Sequence, residues 1–370
     1  ANNGGFYKEM ILVETEKNFM SLEKRQLMVF IVVAFGFPFI AGLPLSFAYR
    51  LGLNTYPFPN AQMFYPAAGV MLACLVTHHG PGLNGGEKTE SMPRRFFLLF
   101  IALTALTAAC CYGMFVRPDM DWVTIQSYVI IAGSVLSWIF LLTEKKERRT
   151  AYGLCWSKAQ TGCSLLLVLL FVALYLARSF ISVALSGQLS EYLPYWQTSA
   201  PYILMAVLIP NFFLSFAAFF GEEYGWRYYL QPLLQKRFGL IRGTILLGVV
   251  WGLWHLPLDL FFYSPGYALQ SIAAHQVTCI TLGVFFAFAY MSTGNIWVPV
   301  ILHFVNNNLA VAVSGTTQIS GQAIGWADVL FSFVLNAVIF LPFLAAKVFH
   351  RGPVQQDSTE KNPSHDTEGE

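Results

Sequence analysis

Charge is scarce in this chain. Only 11% of its residues are Asp, Glu, Lys or Arg, against about 25% in an ordinary soluble domain. With a net charge of just +2, that scarcity excludes a nucleic-acid binder, a disordered chain and an ordinary cytosolic enzyme. No C-x-x-C pair occurs among the six cysteines, so neither a zinc knuckle nor a disulfide framework is expected. The chain has no Walker loop, which argues against an ATP-driven pump, and no H-E-x-x-H helix. No internal repeat is visible. What it does have is apolar surface. Some 56% of residues are apolar or aromatic, 33 of them Phe, and the mean hydropathy is +0.54. This composition describes an all-α, polytopic integral membrane bundle, with the lipid bilayer as its surroundings.

A crossing helix needs about 20 mainly apolar residues. Ten stretches qualify, near 27–49, 61–77, 96–116, 123–142, 162–185, 201–221, 242–262, 271–291, 296–313 and 326–346. The second and ninth are short, so eight to ten spans are expected. With a cytoplasmic N-terminus, the inner segments collect 19 of the 22 Lys and Arg residues and leave outside only Arg50, Arg117 and Arg178. This bias predicts both termini inside a cell (plasma) membrane.

Four regions follow. Residues 1–26 form a cytoplasmic segment, in which 1–9 are set aside because Met10 and Met20 are both plausible starts. Residues 27–200 form a transmembrane bundle of unknown role with almost no internal charge. Residues 201–350 form a second transmembrane domain, which holds nearly every ionisable group inside the spans. Residues 351–370 form a polar cytoplasmic tail expected to be disordered.

An ionisable residue inside lipid costs at least about 2.5–3.5 kcal/mol on insertion scales, so each is a functional candidate. Three clusters lie on three polar helices. In Gly221–Arg227, Glu223 and Arg227 share a helix face and can pair, whereas Glu222 is rotated about 100° and free to face a cavity. Two adjacent carboxylates repel in low dielectric, one way to build a general base for neutral pH. The plainer reading is a solvated cap at the end of a span. In Trp251–Pro257, His255 sits within an apolar helix, and Trp251 one turn earlier walls it from lipid. Asp259, one turn later, either orients the ring or marks the outer helix end. The alternative for His255 is a hydrogen-bonded packing residue. In His303–Asn308, His303 and Asn307 share a face as a donor pair for a developing oxyanion, while Asn306 and Asn308 glue helices. The alternative there is a polar interhelical seam.

Together these residues form a hydrolytic set, or else a zinc site built from Glu222, His255 and His303. The metal-free version is favoured, with no cofactor, because a carboxylate, an imidazole and two donors already complete a hydrolytic site. Either the helix carrying Glu222 runs on to about Lys236, or the site is tilted.

Glu222-Glu223-x-x-x-Arg227, Trp251-x-x-x-His255 and His303-x-x-x-Asn307, in that order, resemble the three motifs of the CPBP family. These are the CAAX proteases and bacteriocin-processing enzymes, also called the Abi family. The runs YLQPLLQKRFG, GVVWGLWHLPL and GNIWVPVILHFVNN are similar to the family's surrounding text. The resemblance covers about residues 201–313. Trp251 departs from it, standing where the family often has Phe, and Trp226 likewise replaces a frequent Phe. The resemblance implies an intramembrane glutamic endopeptidase. In it, Glu222 and His255 activate a water, His303 and Asn307 stabilise the oxyanion, and Glu223 with Arg227 forms an orienting ion pair. The implied substrates are membrane-associated peptides or protein tails, prenylated CAAX-like tails included. Two other readings remain. One is a non-catalytic bacteriocin-immunity or scaffold protein, which would be free to lose motif residues that are all intact here. The other is a proton-coupled transporter, against which stands the lack of an inverted repeat.

Overall fold

Proline placement explains where these apolar helices break. In the computed structural model, which describes residues 21–81, 92–156, 158–315 and 319–351, α1 spans Ser21–Arg50 with a π-helical turn at Val32–Gly36. Next come two short helices, α2 (Pro57–Gln62) and α3 (Tyr65–Thr77). Pro66 has no N–H to offer the Gln62 carbonyl, so the two stay separate. The chain continues as α4 (Arg94–Val116), α5 (Trp122–Thr143), α6 (Lys146–Ala151), α7 (Lys158–Leu185) and α8 (Leu189–Trp196). The remaining long helices are α9 (Ala200–Phe238), α10 (Leu240–Tyr263), α11 (Pro265–Thr293), α12 (Trp297–Ser314) and α13 (Trp326–Ala345). No β-strand occurs among the described residues. The expected segment 1–9 and all but Arg351 of the tail 351–370 lie outside them.

Nine of the described helices are long and apolar enough to cross a membrane. The stretch read as a second span, 61–77, is not among them. It is the broken pair α2 and α3, and ten of the thirteen residues of α3 are buried. Small residues (Ala67, Ala68, Gly69 and Ala73) let α3 sit inside the bundle rather than against lipid. The span read as 201–221 runs on to Phe238, which settles the choice between a longer helix and a tilted site in favour of length. Arg227, counted above with a cytoplasmic loop, therefore lies inside a helix.

The α10–α11 and α9–α12 pairs pack lengthwise, and α3 packs against α9. One hydrophobic core extends from Phe30 to Phe340 and so crosses the sequence boundary at 200. The N-terminal helices thereby form a wall of the site. At Gly221 an added Cβ would lie 2.3 Å from the Met63 carbonyl oxygen, and at Gly225 2.3 Å from Cβ of Pro66. These two glycines seat the Glu222–Glu223 turn directly on the start of α3.

Candidate active site

The α-helical part of α9 ends at Glu223, and a wider π-helical turn, Tyr224–Leu230, follows. Such turns recur at functional sites because they re-aim side chains. Across this junction Glu223 joins two partners. Nε of Arg227 donates to its Oε2 at 2.9 Å, and Nδ1 of His303 donates to its Oε1 at 2.8 Å. Glu223 and Arg227 have no exposed surface, and His303 is buried. The expected Glu223–Arg227 pair is therefore present, and it has a third member. The terminal nitrogens of Arg227 have no hydrogen-bond partner. The faces of Trp251, at 4.8 Å, and Phe286, at 5.4 Å, cover the guanidinium instead.

Glu222 points elsewhere, as its rotation on the helix requires. Its Oε2 accepts from the indole Nε1 of Trp251 at 2.8 Å. It is buried, so it is no solvated cap. The carbonyl of Trp251 in turn accepts from Nδ1 of His255 at 2.9 Å. A carbonyl can only accept, so that bond places the proton on Nδ1 and leaves Nε2 of a neutral ring with its lone pair. Trp251 also lies 5.5 Å from the His303 ring, edge to face. One aromatic side chain thus touches Glu222, Arg227 and His303, while its backbone fixes His255. As a sequence it was legible only as a wall.

His255 stands at a break in α10. Pro257 cannot donate to the carbonyl of Leu253, and His255 N–H bonds instead to Gly252. The side chain of Gln62, on α2, donates to the Trp254 carbonyl at 3.0 Å, and Trp254 Nε1 donates to the Ala34 carbonyl at 2.7 Å. The break is therefore braced from the N-terminal helices.

Two expectations need correction. Asp259 does not hydrogen-bond His255. Its Oδ1 accepts from Nδ1 of His275 and, at 2.7 Å, from Ser271, both on α11. His275 then stacks face to face on His255, with centroids 4.8 Å apart and planes 5° from parallel. Asn306 and Asn308 do not glue helices. Nδ2 of Asn306 donates to Asn307 and Nδ2 of Asn308 to the Phe304 carbonyl, both within α12. Asn307 is exposed, and its Oδ1 accepts from Nδ2 of Asn306 rather than joining the buried Glu–Arg–His group. The structure thus brings together Glu222, Glu223, Arg227, Trp251, His255 and His303, and leaves Asn307 one turn beyond them.

His275 was missed in the sequence. It is an ionisable residue within an apolar stretch, and that rule alone would have flagged it. Its partner Asp259 was not legible, because the pairing depends on how the turn at 264–267 folds α11 back on α10.

Among the described residues, no group of three or more His, Cys, Asp and Glu is placed to hold a metal ion, so Glu222, His255 and His303 form no preassembled ligand set. The six cysteines are free thiols.

Such a fold and site define an all-helical multi-pass membrane protein with a buried glutamate–histidine centre. Residues 203–309 match the family described as Type II CAAX prenyl endopeptidase Rce1-like. The chain is also 28% identical over 149 residues to the CAAX prenyl protease 2 of Methanococcus maripaludis, a match covering 38% of this chain and 52% of that protein. The chain spans about half the length of this curated relative. No solved structure matches it. The matched segment, under a third of the chain, is similar to the CAAX proteases of the CPBP family.

Proposed function

We propose that this protein is an intramembrane glutamic endopeptidase acting on membrane-associated peptides or on CAAX-like, prenylated protein tails. Glu222 and Nε2 of His255 share a water and remove its proton as the oxygen attacks the scissile carbonyl. His303 and Asn307 then donate to the tetrahedral oxyanion. The proton taken from water passes to the leaving amine. Glu223 bridges Arg227 and His303 and holds the His303 ring in place. No metal step is required.

One observation carries this reading. Trp251 holds Glu222 through its indole and His255 through its carbonyl, so a carboxylate and an imidazole lone pair lie at the two ends of one residue. Asn307 enters the reading with a movement. Catalytic hydrogen bonds are often loose without substrate, and a rotamer change away from Asn306 would turn the amide toward the oxyanion. The name of the archaeal relative supports the substrate class.

The test uses purified protein in nanodiscs with farnesylated CAAX peptides and unlipidated controls, and mass spectrometry locates the cut. Internal cleavage that persists in a strong chelator supports the reading. Cleavage lost on chelation and restored by zinc would replace it with a metallopeptidase. Asn307→Ala should cut turnover about 10²-fold, as loss of one oxyanion donor typically does.

A further inference from the structure

Arg178 lies within the membrane-crossing helix α7, where an unpaired cation is costly. Among the described residues it forms no ion pair. Its Nη1 donates to Oδ1 of Asn336 at 3.0 Å, and its guanidinium carbon sits 4.7 Å over the Tyr175 ring. Asn336 is 3% exposed and is itself fixed, because its Nδ2 donates to Oγ of Ser332 at 2.9 Å. The cation is thus held in place and left un-neutralised.

A cavity of about 390 Å³ opens beside it, between α7, α8, α12 and α13. Ser182, Tyr192 and Ser332 contribute to its wall. An unneutralised guanidinium therefore borders a cavity, and what it lacks is an anionic oxygen acceptor. The cavity lies at one end of the bundle. Ser182 is in the last turn of α7, and α8 carries Tyr192, Tyr195 and Trp196, the residue types that settle at a membrane–water interface.

We infer that this cavity is a phosphate-binding site, separate from the Glu222–His255 centre, with Arg178 as the charged ligand. The phosphate is that of a lipid headgroup or a free anion. Arg suits it because its planar fork can give two parallel N–H bonds to one phosphate.

Thermal unfolding of the purified full chain in a neutral detergent tests this, since a ligand of the native state raises Tm in proportion to occupancy. One arm adds dihexanoyl-phosphatidylglycerol below its micellar concentration. A second adds inorganic phosphate at constant ionic strength. A neutral short-chain glycolipid is the control. A saturable rise with the phospholipid alone assigns a lipid headgroup, and an equal rise with inorganic phosphate assigns a free anion. Arg178→Gln should abolish the rise. No rise in either phosphate arm, a rise equalled by the glycolipid, or an unchanged rise in Arg178→Gln overturns the proposal. Should Arg178→Gln fail to fold, Arg178→Lys replaces it. Full affinity in Arg178→Lys would then overturn it, because a single ammonium cannot give the two parallel bonds of the guanidinium fork.

Discussion

The indole Nε1 of Trp251 donates to Oε2 of Glu222 at 2.8 Å, and this bond fixes the direction in which the proposed base faces. Trp251→Phe keeps an aromatic ring beside Arg227 and His303 and removes the donor together with part of the indole's volume. Turnover should fall roughly tenfold, in line with the loss of one hydrogen bond to a charged group, and Tm should fall by a few degrees from the lost volume. Steady-state kinetics beside a melting curve separates these effects. Full activity in the variant would show that the indole does not position Glu222.

Arg227 neutralises a carboxylate that has no exposed surface. Arg227→Ala strands Glu223 and should destabilise the protein by about 3–5 kcal/mol, the usual cost of breaking a buried pair from one side. The double variant Arg227→Leu with Glu223→Leu should recover much of that stability without recovering activity. A melting series on the three proteins checks both statements.

His303 gives Nδ1–H to Glu223, so it can donate to an oxyanion from Nε2 only as an imidazolium. The sign follows directly. Turnover is supported below the pKa of that imidazolium and is lost as pH rises through it. The proposed water-activating pair, Glu222 and His255, imposes the opposite, acidic limb, so kcat against pH should be bell-shaped. His303→Gln offers an amide donor that does not titrate in this range. It should leave the acidic limb and flatten the alkaline one. An alkaline limb unchanged in His303→Gln would remove His303 from the oxyanion role.

Much of the fold was legible because lipid leaves few options. Long apolar runs marked the helices, and the spacing of Glu223 to Arg227 and of Trp251 to His255 put those pairs on shared faces. The error at 61–77 came from reading apolarity as lipid contact, when Pro66 and the small residues of α3 put that segment inside the protein. The site was legible within helices and illegible between them. One-turn spacing showed that Arg227 could reach Glu223. Nothing in the sequence showed that His303 would reach the other oxygen, that Trp251 would turn its indole to Glu222, or that Gln62 would brace the break at His255. Those contacts depend on how helices pack, and no local pattern encodes them.

The stacked pair His255–His275, anchored by Asp259, yields a separate expectation. If His275 orients the catalytic ring, His275→Ala should lower kcat about tenfold or more with KM little changed, since misplacing a reacting group costs rate rather than binding. His275→Phe, which keeps a planar partner for the stack, should restore part of the loss. Equal damage from Phe and Ala would show that the anchored imidazole itself, rather than the stack, is required. Wild-type kcat in His275→Ala would leave this pair without a part in positioning.

The central claim is that Glu222 and His255 activate the water. The most direct measurement is single-turnover cleavage of a farnesylated CAAX peptide by reconstituted wild-type protein and by Glu222→Gln, an isosteric change that keeps an acceptor for the Trp251 indole and removes the base. The account predicts that wild type cleaves, and that Glu222→Gln binds the peptide equally well, melts within a few degrees of wild type, and cleaves at least about 10²–10⁴-fold more slowly, the usual worth of a general base. Cleavage by Glu222→Gln at the wild-type rate would contradict it.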